Sequence, residues 1–224
     1  MEYSFDFSVI ADNFGLLLSG AWLTLKMSLL AIAFGLIIGV IGSLFRTSGN
    51  PLLNGIALAY VEVIRNTPYL IQLFFIFFGL PSLGLTLSAE QAAILSLAIN
   101  FGAYSTEIVR AGVESISKGQ IEAGLAIGFK KLAVFRHIVI PPALANVYPA
   151  LIGQVILAVL FTSVVSQIAA EDLTYAGNYL NSRTFRSFEI YFTIALMYLA
   201  IVWIVKALAY LIELRFFEFA KYRK

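Results

Sequence analysis

The stretch KGQIEAGLAIGFKKLAVFRHIVIPPA, residues 118–143, is a long polar and basic interruption in an otherwise apolar sequence. Its first part predicts a short helix over residues 120–127. Gly128 is expected to end this helix, because glycine readily adopts the left-handed conformation that a helix C-cap requires. Pro141 and Pro142 are expected to end any helix before them and to begin a new one. The rest of the chain is predicted to place this segment in water.

The predicted short helix carries small side chains. Ala123, Gly124 and Ala126 add little to the backbone, so a groove on another protein could approach closely. Glu122 places a carboxylate near the helix N-terminus, where the helix dipole favours negative charge. Two interpretations are open at this point: a helix that docks into a partner, and an ordinary basic loop with a short interfacial helix.

The composition is that of an integral membrane protein. Hydrophobic residues make up 60% of the chain, charged residues make up 12%, and the mean hydropathy is +0.89. The absence of cysteine excludes disulfides, iron–sulfur ligation and thiol catalysis. A net charge of +2 is too small to indicate nucleic acid binding. The acidic start, residues 1–6, lacks the basic region of a signal peptide, so the first hydrophobic segment should be retained as a span.

Five apolar segments are long enough to cross a hydrocarbon core of about 30 Å. Before the first, residues 5–18 predict an interfacial helix or a frayed tail. Pro68 removes a helix hydrogen bond and disfavours helical geometry at Thr67, so the second span should kink there, beside a cavity. A polar loop is expected from the end of the fourth span through Ser187. The spans of this single all-α transmembrane domain are predicted at residues 20–45, 53–80, 89–115, 143–169 and 188–216.

Four charged residues fall at one depth in the second and third spans. They are Glu62, Arg65, Glu107 and Arg110. Because an isolated charge at this depth costs several kcal/mol, Arg65 is expected to pair with Glu107 or Glu62, and Arg110 with the acid that remains. A structural ion-pair lattice and a substrate contact are both consistent with this arrangement, and the lattice is favoured.

Polar side chains facing the outer half of the bundle are candidates for a substrate path. Thr162, Ser163 and Ser166 recur at helical spacing, so they could line a path or pack between helices. Glu171, just past the fourth span, could hold a cationic group. The candidate path residues are Thr67, Tyr104, Thr162, Ser163, Gln167 and Glu171.

The basic residues are divided unequally between the two ends of the spans. The positive-inside rule therefore places the N-terminus outside, and the segment 118–143 and the C-terminus in the cytoplasm. The end assigned to the cytoplasm carries Arg46, Arg110, Lys118, Lys130, Lys131, Arg136, Arg215, Lys221, Arg223 and Lys224, whereas the other has mainly Lys26, Arg183 and Arg186.

The segment 118–143 resembles the cytoplasmic "EAA" loop of bacterial ABC importer permeases. The matching residues are Glu122-Ala123-Gly124, then Gly128, then Ile140-Pro141. Gly124 replaces the usual second alanine, and Pro142 stands where glutamine is frequent. The alanine-to-glycine change costs a helix about 1 kcal/mol, so the helix should rely on its partner. The resemblance implies a coupling helix over residues 119–128 that docks into an ATPase subunit through Gly119, Gln120, Glu122, Ala123, Gly124 and Gly128.

The likeness extends over nearly the whole chain and is closest to permeases of the polar amino-acid uptake type, which includes histidine, glutamine and arginine importers. It is carried by the stretches 60–68, 72–75, 102–104 and 107–112, by Gly119-Gln120 and Thr162-Ser163, and by Asp172-Leu173. It implies the type I importer permease fold in a bacterial inner membrane, and a framework role for Glu62 and Arg65. It also implies a like or homologous second permease, two ATP-binding subunits, an external substrate-binding protein and an amino-acid substrate. The carboxylate of Glu171 favours a basic amino acid as that substrate.

The chain has no sequence motif that could supply energy. It contains no phosphate-binding loop, no His-Glu-x-x-His metal pair and no Gly-x-Ser-x-Gly elbow. No catalytic residue, metal or cofactor is therefore expected in the chain itself, and ATP and Mg²⁺ would be bound by partner subunits. The alternative is an ion-driven secondary amino-acid transporter with Glu62 and Glu107 as proton carriers.

Overall fold

The computed structural model describes residues 4–216, and that range consists of helices and their connections, without a β-strand. The basic tail residues Lys221, Arg223 and Lys224 and the first three residues of the acidic start lie outside it. The helices are α1 (Ser8–Asp12), α2 (Phe14–Arg46), α3 (Pro51–Arg65), α4 (Tyr69–Phe74), α5 (Ala89–Glu114), α6 (Lys118–Ala126), α7 (Lys131–Val134), α8 (Ile140–Val165), α9 (Leu173–Thr184) and α10 (Ser187–Phe216).

Each predicted span corresponds to a helix or a broken helix. The helices of the first and fourth predicted spans begin before the predicted limits, at Phe14 and Lys131. Hydropathy marks the membrane-embedded part of a helix, and backbone hydrogen bonding continues beyond it. Four stretches in residues 4–216 are long and apolar enough to span alone: Phe14–Arg46, Ala89–Glu114, Lys131–Ile168 and Ser187–Phe216. The bent pair Pro51–Arg65 and Tyr69–Leu83 has the length and composition for a fifth if its halves form one span.

The second span is broken more sharply than a kink. The helix direction changes by 108° between its two halves. The predicted position is correct, since Pro68 has extended backbone angles and directly precedes α4. The proline supplies no N–H to the preceding turn, so α3 ends at Arg65.

The adjacent prolines 141 and 142 begin α8, as expected, but they do not separate it from the helical turns before it. A π-helical turn over Phe135–Val139 joins α7 directly to α8, and the helical path runs from Lys131 to Ile168. The prolines occupy the first turn of α8, where a missing N–H costs least.

The centre of the bundle is the close contact between α2 and α5. Gly35 and Gly39 form a small-residue stripe on α2. A Cβ atom on Gly35 would lie 2.9 Å from the carbonyl oxygen of Ala98, and one on Gly39 would lie 2.5 Å from Ser105 Cβ. Only glycine permits this approach, which is how helices in a membrane gain packing contacts.

The predicted outer loop after the fourth span is instead largely the helix α9. Asp172 caps its N-terminus by accepting a hydrogen bond from the backbone N–H of Tyr175 at 2.9 Å. Leu173, Ala176 and Leu180 are buried against α2 and α10. This i, i+3, i+7 pattern after an aspartate is a helix signal that the polar composition of the segment obscured.

The start of the chain is attached to the bundle. The backbone N–H of Asp6 donates to Glu189 Oε1 at 2.9 Å, and this glutamate is fully buried at the start of α10. The interfacial helix predicted over residues 5–18 is only the five-residue α1, because α2 has already begun at Phe14.

Candidate functional site

The short helix expected in the segment 118–143 is α6. It spans Lys118–Ala126, and Gly128 follows with φ at +89°, the left-handed conformation predicted for it. The backbone N–H of Phe129 donates to the carbonyl oxygen of Gly124 at 3.1 Å and so closes the helix end. The local prediction for this segment is therefore correct.

One face of α6 is attached to its own subunit. Gly124 is buried, and a Cβ atom there would overlap Ile138 Cδ1 and lie 3.2 Å from Val134 Cγ2. Ile121 packs beside Val139 in a small apolar cluster at the ends of α5 and α8. The expectation that Gly124 leaves room for another protein is wrong, because this glycine admits the side chains of the chain's own next helix.

The opposite surface of α6 and the turn after it are exposed. Gly119, Gln120, Glu122 and Ala123 face away from the subunit. Large apolar side chains accompany them, with Ile127 72% exposed and Leu132 79% exposed. Exposed apolar side chains beside a small polar helix are typical of an interaction surface.

The membrane-depth charges form a network that differs from the predicted one. Glu107 binds Arg46 at 3.1 Å through one carboxylate oxygen and Arg110 at 2.6 Å through the other. Arg110 also binds Glu114 at 2.5 Å. The pairing of Arg110 with an acid is correct, whereas the roles of Arg46 and Glu114 were missed, because depth alone does not show how helices are rotated.

The other two predicted partners do not pair. Among residues 4–216, Glu62 and Arg65 form no ion pair; Glu62 accepts a hydrogen bond from Asn66 at 2.9 Å. The guanidinium carbon of Arg65 instead lies 5.2 Å from the centre of the Tyr104 ring, a cation–π contact. The prediction for Arg65 is therefore wrong.

The residues predicted for a substrate path do not meet in one cavity. Thr162 is fully buried and donates to the carbonyl oxygen of Val159. Ser163 likewise donates within its helix, to the carbonyl oxygen of Leu160. Gln167 is exposed near the outer end of the same helical stretch. Both hydroxyls thus use their protons within their own helix and keep only their acceptor capacity.

The remaining path candidates lie in separate places. Glu171 lines an outer pocket of about 420 Å³ with Trp22 and Tyr179. Tyr104 lines a different cavity, described below. Thr67 lies at the break in the second span, where its hydroxyl donates to the carbonyl oxygen of Val63 at 2.8 Å.

Two buried amides that sequence reasoning gave no role connect this break to α5. The Gln72 Nε2 amide donates to the carbonyl oxygens of Ile64 at 2.7 Å and Thr67 at 3.0 Å. Asn100 Nδ2 donates to Gln72 Oε1 at 3.0 Å. The carbonyl groups freed by Pro68 are thus satisfied by protein, so the expected cavity is not needed to solvate them. A glutamine placed four residues after a mid-span proline was the available signal.

A cavity of about 430 Å³ opens below the break, between α5 and α8 toward the α6 side. Its polar lining consists of Arg65, Tyr104, Glu107, Ser115 and Asn146. The Asn146 amide donates to the Ser115 hydroxyl at 2.9 Å. This volume is within the range of small-molecule sites.

No group of three or more histidine or acidic side chains in residues 4–216 could hold a metal ion. The polar groups described above are amides, hydroxyls and paired charges. Such groups can bind and orient a polar solute.

Comparisons with known proteins agree with this architecture. The family model for the binding-protein-dependent transport system inner membrane component matches residues 31–218. The glutamine transport system permease protein GlnP of Escherichia coli K12 is 38% identical over 94% of this chain and 97% of its own length. The nopaline transport system permease protein NocM of Agrobacterium fabrum is 34% identical, covering 93% of this chain and 90% of the relative.

Solved structures give the same result. An amino acid ABC transporter with histidines matches with a TM-score of 0.88 and 35% identity over 95% of this chain and 100% of the other. The inward-facing MetNI methionine ABC transporter matches with a TM-score of 0.73 and 25% identity over 89% and 95%. The fold is that of type I importer permeases, and the resemblance deduced from the sequence is confirmed. The chain belongs to the family of inner-membrane components of binding-protein-dependent transport systems.

Proposed function

We propose that this chain is the permease subunit of an ABC importer that carries a polar amino acid into the cytoplasm, with ATP hydrolysed by partner subunits. The exposed face of α6 is the observation that carries the proposal: a helix attached on one side to α5 and α8 presents Glu122 and Ala123 on the other. The chain is a transport component without a phosphate-binding loop of its own.

Coupling would act through the attachment of α6. Ile121 packs in the apolar cluster at the ends of α5 and α8, and Gly124 fixes α6 against α7 and the π-helical turn that leads into α8. A movement of α6 would therefore displace α5 and α8 together with it, as a rigid unit. The coupling residues are Gly119, Gln120, Glu122, Ala123 and Gly128 at the contact with the ATPase, and Gly124 at the attachment to the bundle.

The chain works as a single transmembrane domain with its N-terminus outside and its C-terminus in the cytoplasm. The basic residues at the α6 end, among them Lys130, Lys131 and Arg136, support this orientation. The partners are a like or homologous permease, two ATP-binding subunits that hold ATP and Mg²⁺, and an external substrate-binding protein. No nucleic acid is involved.

The substrate is a polar amino acid. Two relatives are named for glutamine and nopaline transport. Glu171, exposed in the outer pocket beside Tyr179, supports a cationic side chain. The path past Thr67, Tyr104, Thr162, Ser163 and Gln167 remains a proposal that substitution of each residue can test.

The ion-driven alternative has no support from the comparisons. Its expected proton carrier Glu107 is held by two arginines, so its carboxylate is occupied as a structural partner.

The test is reconstitution of the complete importer in proteoliposomes, with uptake and ATP hydrolysis measured for glutamine, histidine and arginine. We expect one or more of them to stimulate hydrolysis. Ala123→Trp should abolish uptake while membrane insertion is unchanged, because the indole fills the contact surface of α6. Ala207→Trp, at an exposed position of α10, is the control. Normal uptake by the Ala123 variant, or gradient-driven uptake by this chain alone, would contradict the proposal.

A further inference from the structure

Arg65 carries a positive charge at membrane depth, and no acid in the described part of the chain neutralises it. It ends α3 directly before the break, and among residues 4–216 no carboxylate forms an ion pair with it. Its ring partner Tyr104 lies ten residues before the end of α5 at Glu114, or about 15 Å along the helix. Ionisable groups at such depth mark functional sites by default, because an isolated charge there is costly.

The acid that lines the same cavity as Arg65 is already occupied. Both oxygens of Glu107 are engaged, one by Arg46 and the other by Arg110. Glu62, three residues before Arg65, accepts from Asn66 instead. The cavity that Arg65 lines therefore has an unmatched positive charge at its upper end.

The surroundings of Arg65 fit a small anionic group. The Tyr104 ring lies beside the guanidinium at 5.2 Å and orients it without using its N–H groups. A guanidinium presents these donors in a planar fork that matches a carboxylate. Further along the cavity, Asn146 and Ser115 supply neutral hydrogen-bonding groups.

We propose that Arg65, oriented by Tyr104, binds the α-carboxylate of the transported amino acid in the cavity between α5 and α8, on the way out to the α6 side. This inference rests on the proposed function and names the group recognised at one point of the path. Arg65 acts as a binding residue, and Tyr104 as its positioning residue.

A competing partner for Arg65 is Glu62 of a second copy of the permease, since both side chains are exposed in the single subunit. The cavity favours the amino acid. Arg65 faces Tyr104 of its own α5 and lines an open cavity of about 430 Å³, which a small solute can enter.

The test measures binding of radiolabelled L-glutamine and L-arginine, and of their carboxamide derivatives, to the permease–ATPase complex in nanodiscs without binding protein. Arg65→Gln should weaken binding of the amino acids about tenfold or more, since a hydrogen bond to a charged group is lost. It should change binding of the carboxamides, which lack the carboxylate, by less than about twofold. Arg65→Lys should fall between wild type and Arg65→Gln, because lysine keeps the charge and loses the fork.

Arg183→Gln is the matched control, because Arg183 also lies over a tyrosine ring, Tyr179 at 4.4 Å, but outside this cavity. It should leave binding unchanged. Equal weakening of amino acids and carboxamides by Arg65→Gln, no weakening, or absence of binding to wild type would overturn the inference. Recovery of an Arg65→Glu variant by Glu62→Arg would also overturn it and identify a contact between permeases. Binding-protein-stimulated ATP hydrolysis, measured in parallel, tests the proposed function separately.

Discussion

Two short helices outside the long spans, α6 and α9, dock onto the bundle in the same way and differ in what they leave exposed. Each places a glycine against an isoleucine of the following helical stretch: Gly124 meets Ile138, and Gly177 meets Ile194. On α9, three further apolar side chains are buried; on α6, Gly124 is the buried residue. The comparison indicates that α9 is packed into the core of the subunit, whereas most of the α6 surface stays exposed and available to a partner protein.

Enlarging the two glycines should separate these roles most clearly. Gly124→Leu displaces α6 from Val134 and Ile138, so we expect uptake to be lost and the free energy of unfolding to change little. Gly177→Leu inserts a side chain into a closed core contact and should cost about 1–3 kcal/mol of unfolding free energy. Uptake in proteoliposomes and denaturation in mixed micelles measure the two effects. Equal loss of stability in both variants would contradict the distinction.

Removing the cap of α9 should produce the next largest effect. Asp172 is fully buried and accepts hydrogen bonds from the Tyr175 backbone N–H and, at 3.0 Å, from the Tyr198 hydroxyl. Asp172→Ala leaves the Tyr175 N–H without its acceptor and removes one buried hydrogen bond of the Tyr198 hydroxyl, which keeps Thr174 Oγ1 as a partner at 3.1 Å. We therefore expect a loss of about 1–3 kcal/mol in unfolding free energy. Glu122→Ala on α6 is the exposed comparison and should change stability by less than about 0.5 kcal/mol. A negligible effect at Asp172 would show that α9 is not held by its cap.

Two glycines with a positive φ angle test whether the effect of a substitution on uptake depends on its position in the fold. Gly128 after α6 has φ at +89°, and Gly84, in the connection between the second and third spans, has φ at +82°. Alanine at either position should cost about 1 kcal/mol in unfolding free energy, since a Cβ atom is strained there. Only Gly128→Ala should also reduce uptake, because it disturbs the end of the coupling helix. Reduced uptake in the Gly84 variant would weaken the assignment of α6 as the coupling element.

The smallest expected effect is on the pH dependence of the unfolding free energy. Burial raises the pKa of the Asp172 carboxyl above its usual value. The folded chain therefore holds this proton over a pH range in which the unfolded chain has released it, so this group's contribution to stability falls as pH rises through that range. Asp172→Asn should remove that slope from unfolding measured between pH 4 and 6, a range chosen from the ordinary carboxyl pKa of about 4. An unchanged slope would exclude Asp172 as its source.

The sequence determined the class of protein, the positions of the long apolar helices and the position of α6. These follow from local properties: apolar length sets a span, Pro68 ends a helix, and Gly128 closes one. The resemblance through Glu122 and Gly128 identified the family from the same local pattern.

Only the tertiary structure decided which side chains meet. Arg65 and Glu107 share a depth, yet Glu107 pairs with Arg46, because the rotation of each helix about its axis is set by packing such as Gly39 against Ser105. Gln72 satisfies carbonyl groups that exist only after the chain has bent by 108°. The depth of a residue in a span and the periodicity of a helix follow from the local sequence. The rotation and bending of the helices arise from contacts between segments that are far apart in the sequence.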